Sequence, residues 1–164
     1  MDTLKQLKDE LEYEVNVTKK FFNSFPEGKN DFKPHEKSMK LIDLADHIAA
    51  IFGWPVAILN TSKLDISEAD ETEKAKNRAQ LLSVLEKEYK ASLAALEKVS
   101  EQDLKPNWAL TMGDQKLMEW SKYGAIRHSL NQITHHRAQL GVYYRLMDIP
   151  LPASYGPSAD DQSF

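Results

Sequence analysis

Apolar residues recur at helical spacing in four long stretches of the chain. Leu4, Leu7, Leu11 and Val15, with the run Val17–Phe22 beyond them, predict a first helix of about five turns. Leu41, Leu44, Ala45, Ile48, Ile51 and Phe52 form a second stripe, for which Ser38 is a suitable N-cap. Gly53-Trp54-Pro55 bends or interrupts that helix before VAILN carries it a little further. A third helix is predicted from roughly Thr72 to Val99, with Leu81, Leu82, Leu85, Tyr89, Leu93 and Leu96 on its buried side. A fourth runs from about Ser121 to Met147. The connections read differently. FPEGKNDFKPHEKS is a break rich in turn formers, and TSKLDISEADETEKA is polar and linker-like. Within the latter, EADETEK suits a solvated acidic helix start, at the positive end of the dipole. SEQDLKPNWALTMGDQKLMEW is irregular, and its alternating Trp108, Leu110 and Met112 ahead of Gly113-Asp114 fit a small hairpin. DIPLPASYGPSADDQSF predicts an extended tail over about 148–164. The sum is an all-α four-helix bundle in one domain, 1–164, with a short hairpin or irregular insert between helices three and four.

Composition narrows what such a domain does. The 164 residues suffice for one sizeable core, and 41% hydrophobic with 28% charged residues is ordinary for a soluble globular protein. A net charge of −4 argues against nucleic-acid binding driven by counterion release. No cysteine is present, which excludes disulfides, thiolate zinc sites and cysteine nucleophiles. Any metal must therefore sit on histidine, carboxylate, amide or water. The first residues lack the apolar core of a signal peptide, and no run approaches the roughly 18 apolar residues of a membrane span, so a cytoplasmic location is expected. Phosphate-cradling glycine loops, dinucleotide fingerprints and a Ser-His-Asp spacing are absent from the sequence.

Three of the five histidines, His128, His135 and His136, fall within nine residues of the fourth helix. At about 100° per residue, Ile126, Ile133, Leu140, Tyr144 and Met147 define its core side. His136 lies about 40° from the centre of that side, and Gln132 one step further round. Residues four apart stack on one helix face, so Gln132 and His136 can address the same point inside the bundle. His128 and His135 sit on the shoulder. His47 occupies the shoulder of the second helix's stripe, within a modest rotation of the interior. His47, Gln132 and His136 with water would form an open site suited to Zn, Ni or Fe as the divalent ion. On spacing alone, a polar helix shoulder with one satisfied core histidine explains the same residues.

Two segments resemble a known family. HHRAQLGVYYRLMDIPLPASYGPSADD is similar to the end of DinB-family proteins, the DinB/YfiT-like metalloenzymes, and FKPHEKSMKLIDLADHIAAIFGW resembles their second-helix segment. Together these segments cover about a third of the chain, and the helix order agrees over the rest. The resemblance implies a four-helix bundle, usually a homodimer, binding a divalent metal through three side chains that map to His47, Gln132 and His136. Relatives commonly read NHxxHHR, with histidine where this chain has Gln132, and some use Glu. A neutral amide oxygen is a poorer ligand than either, so low occupancy or an empty site is expected, with His128 or His135 as alternate ligands. The resemblance also implies chemistry on small molecules: transfer or addition of a low-molecular-weight thiol such as bacillithiol to an electrophile, or metal-assisted hydrolysis. A non-catalytic stress-response or binding bundle with a lost metal site is the reading from another class.

Other residues have plainer expected roles. Arg137 reads as a surface or interhelix ion pair, with anion binding as the alternative, and Gln139 as a structural hydrogen bonder. Trp54 and Trp120 are packing aromatics that also suit a pocket wall. Tyr143, on the side of His136, is a weak catalytic candidate as a proton donor. Asp43, Asp46 and His35 are expected in solvent.

Overall fold

In the computed structural model, residues 2–67 and 74–163 are described. The first helix, α1 (Thr3–Asn23), is capped by Asp2, whose side chain accepts from the Lys5 amide at 2.8 Å. This meets one of the orphan donors that every helix start exposes. Its apolar stripe of Leu7, Leu11, Val15, Phe21 and Phe22 is buried. The following break folds back on itself, with Gly28 at φ 77° and the Leu41 amide donating to the Phe32 carbonyl. The second helix, α2 (Leu41–Ile51), is entered through Lys40 rather than capped by Ser38. Ser38 is used earlier, its amide donating to the His35 carbonyl in a turn.

Gly53 follows the end of α2 and lies beside Glu88 of a neighbouring helix. A Cβ there would lie 2.3 Å from Glu88 Oε2. Pro55 in the first turn of α3 (Trp54–Asn60) restarts the helix about an axis bent by 44°. Then come β1 (Lys63–Asp65), α4 (Arg78–Lys98), a 3-10 turn (Glu101–Leu104), β2 (Asn107–Met112), β3 (Gln115–Ser121) and α5 (Lys122–Leu146). Asn77 caps α4 and Ser121 caps α5, each accepting from the amide three residues on. The sheet runs β1-β2-β3, with β1 parallel to β2 and β3 antiparallel to it across Gly113 at φ 58°. Trp108 pairs with Trp120 in register, and their rings stack at 6.5 Å.

The architecture corrects the all-α four-helix-bundle expectation: the described residues form five helices and a three-stranded mixed sheet. The hairpin lies where the alternation placed it. Its third strand comes from the segment expected to be linker, since Leu64 supplies an apolar residue in a run otherwise polar. The predicted third helix begins six residues late, because Asn77 takes the cap; Thr72 and most of EADETEK lie outside the described residues. Among the described residues no single helix is long and apolar enough to cross a membrane.

Helix α5 packs on α1, α2 and α3, while α4 packs on the other faces of the same three. Trp108, Tyr144, Phe22, Phe25 and Phe52 are the largest side chains sealed inside. The tail lacks regular structure yet is held down, rather than simply extended. Arg145 pairs with Asp160 at 2.6 Å, and the Leu151 and Ala153 amides donate to Asp160 and Asp161, each at 2.9 Å. These bonds hold both aspartates well below the usual carboxylate range, Asp161 at about 2.

Candidate metal centre

The packing of α2 on α5 decides which histidines meet. His47 lies between the buried Leu44 and Ile48, and His136 lies beside the buried Leu140, so both rings point toward the helix interface. They contact edge to face, with centroids 4.7 Å apart and planes at 77°. Burial lowers the His47 pKa, and the neighbouring His136 lowers it further against the opposing pull of Asp46. His47 is therefore neutral at neutral pH, the form in which imidazole binds a metal.

Gln139, one turn beyond His135, orients the second ring. Its amide oxygen accepts from His136 Nδ1 at 2.9 Å, and its amide nitrogen donates to His135 Nε2 at 3.1 Å. The bonding pattern assigns the proton of neutral His136 to Nδ1 and leaves the Nε2 lone pair free. A hydrogen bond of this kind fixes tautomer and ring orientation in metal sites. Gln139→Leu is expected to return His136 to the Nε2–H tautomer that is commoner in a free histidine side chain. Long-range proton–nitrogen NMR of the metal-free protein reads this directly; an Nε2–H form already present in wild type would contradict the assignment.

The other sequence candidates are arranged differently. Gln132 donates its amide nitrogen to His128 Nε2 at a long 3.4 Å, which leaves its amide oxygen as the end available to a ligand. His128 stacks on Trp120 at 4.7 Å, and burial lowers its pKa. His135 is exposed, though its ring centroid lies 4.9 Å from that of His136. Tyr143 donates its hydroxyl to the Met39 carbonyl at 3.1 Å, so the proton proposed for catalysis is already in use. His35 is exposed in the first loop. Asp43 and Asp46 are not simply solvated: Asp43 pairs with Lys74 at 3.0 Å and Asp46 accepts from the Ala75 amide at 2.9 Å.

These residues fit a divalent ion in part. Two imidazoles from facing helices supply nitrogen donors, and the third donor of the predicted set is the uncharged Gln132 oxygen. Among the described residues no three His, Asp or Glu side chains converge to hold one ion. Beside His136 opens a cavity of about 410 Å³, walled by Met39, Leu44, Val142 and Tyr143, with Ser38 and Gln139 as its other polar residues.

Behind the site lies a buried pair that spacing left only partly visible. Arg137, 2% exposed, points away from His136 into the α1–α5 interface and meets Glu14, 1% exposed, at 2.6 Å. It also donates to Thr18 Oγ1 at 3.1 Å. Tyr155 of the tail completes the network, its hydroxyl donating to Glu14 and lying 3.1 Å from Thr134 Oγ1. Glu14 went unremarked in the sequence, although a charge between Leu11 and Val15 on the apolar face signals a buried partner.

No curated protein matches the chain. The structure resembles the crystal structure of the DinB-like protein YjoA from Bacillus subtilis, with a TM-score of 0.70 and 20% identity over 88% of this chain and 96% of that one. A DinB-like protein from Bacillus cereus superposes with the same score, 0.70, at 18% identity, covering 91% of this chain and 95% of its own. Those identities carry the fold alone. The sequence itself matches the DinB family model over residues 1–162. The chain therefore belongs to the DinB family.

Proposed function

We propose that the protein holds a divalent metal between His47 and His136, with Gln132 as the third ligand, and uses it on a small-molecule electrophile. The observation that carries this reading is the edge contact of the two rings at 4.7 Å with His136 Nδ1 engaged by Gln139. Neutral imidazoles presented from two helices, one of them locked by an outer hydrogen bond, suit Zn, Ni or Fe. Such an ion, when bound, lowers the pKa of a coordinated thiol or water and supplies a nucleophile at neutral pH. The chain's own residues orient and exclude. Gln139 fixes the His136 ring, Leu44 and Tyr143 wall the space in front of it, and the Glu14–Arg137 pair anchors α5 behind it. Because the chain contains no cysteine, the thiol would be a free low-molecular-weight cofactor such as bacillithiol. Metal-dependent hydrolysis uses the same site with water. A cytoplasmic, homodimeric enzyme acting on small molecules, rather than on nucleic acid, accords with the family and with a net charge of −4.

One observation favours a second reading, a non-catalytic binding or stress-response protein. Gln132 turns its amide nitrogen to His128, and among the described residues no charged third donor stands in for it. Metal content separates the two. Untagged protein, loaded with Zn²⁺ and then dialysed, is expected to retain near one ion per chain by elemental mass spectrometry, followed by metal-dependent thiol addition to model electrophiles. Protein that retains none would favour the binding reading.

A further inference from the structure

The cavity beside His136 has a composition that selects its occupant. Met39, Leu44, Val142 and Tyr143 contribute apolar surface, and among the described residues no Asp, Glu, Lys or Arg lines it. Its polar groups are largely engaged already. The Tyr143 hydroxyl is spent on the Met39 carbonyl, and the Gln139 amide is shared between His135 and His136. Lys40, the cation next to Met39 in sequence, is paired with Asp31 at 2.5 Å. In the metal-free protein a carboxylate or phosphate entering these walls would give up hydration with no counter-charge from the described residues to replace it. The walls are also preformed. Phe32 packs edge-on against Tyr143 at 6.1 Å, and the Tyr143–Met39 bond ties the first loop to α5. Met39 is 42% exposed and unbranched, which lets one side of the space adapt to different shapes.

We infer that this cavity binds an uncharged, largely apolar small molecule, so that the substrate of the His136 site is a neutral electrophile with an aromatic or aliphatic body. A volume of 410 Å³ lies toward the lower end of the range for small-molecule sites, about 300–1,000 Å³, and accommodates a fused bicyclic ring. Charged thiols find no partner among the described residues of these walls, which leaves the cavity to the electrophile. The inference deepens the proposed function and rests on it only for the word substrate; binding by the cavity does not require the metal.

The test uses two probes of equal size, 1-naphthol and 1-naphthoate, on chelator-treated protein. It is run above the imidazole range and below the naphthol pKa. Titration calorimetry and saturation-transfer NMR are expected to show naphthol binding about tenfold or more tighter than naphthoate. Val142 is 57% exposed, so Val142→Asp puts a carboxylate on the wall without burying it. That variant is expected to weaken naphthol binding severalfold while its zinc content and melting temperature stay at wild-type values, and Val142→Leu is expected to preserve binding. Equal affinity for the two probes, or no response to Val142→Asp, would overturn the inference whatever the metal content. Naphthol selectivity in a protein that retains no zinc would sustain the cavity assignment and sink the metal reading alone.

Discussion

Arg137→Met is expected to destabilise the fold by about 3–5 kcal/mol, because it strands a buried carboxylate without its cation. The partner side chains are 3% and 1% exposed, so water does not reach Glu14 to replace the guanidinium. For a domain of this length the loss corresponds to a melting temperature lower by roughly 6–20 °C. The double variant Glu14→Leu/Arg137→Met is expected to recover much of that loss, since an apolar pair of similar volume carries no desolvation cost. Tyr155 keeps Thr134 as a partner in that background. Thermal and urea denaturation of the set decide the matter. A single variant as stable as wild type would show that the pair is not sealed from water in solution.

The second large effect concerns metal affinity, and it has opposite signs at two positions one turn apart. His136→Ala removes a nitrogen donor together with its Gln139 anchor, and retention of zinc after dialysis is expected to fall to background. Gln132→His replaces a neutral amide oxygen by imidazole and is expected to tighten zinc binding on the order of tenfold or more. It also frees His128, whose contact with Gln132 is long in any case. Competition with a chromophoric chelator measures both. Should Gln132→His leave the affinity unchanged, residue 132 does not face the ion, and the third ligand must be sought elsewhere.

Much of this was legible before any coordinates. The apolar stripes located the long helices because their period is set by the core they face. The wheel placed His136 inward of His135 because a hundred-degree step separates adjacent residues, and the structure leaves His135 exposed. Two features escaped for identifiable reasons. The strand Lys63–Asp65 is three residues long and has no pattern of its own; it exists because β2 offers an open edge beside it. The bonds of Gln139, Tyr143 and Gln132 depend on side-chain rotation, about which helical spacing says nothing. Spacing brought Gln132 and His136 to one face, but it does not show that the Gln132 amide nitrogen reaches back to His128.

The Glu14 network also orders events during synthesis. Its carboxylate belongs to α1, whereas its partners Arg137 and Tyr155 follow 123 and 141 positions later. As the chain emerges from the ribosome, Glu14 must stay hydrated until α5 arrives, and α1 is held open along that face meanwhile. Closure of the core thereby waits for α5 and the segment after it. A product released before residue 155 would contain α1 through α5 and still lack the Tyr155 hydroxyl that reaches Glu14.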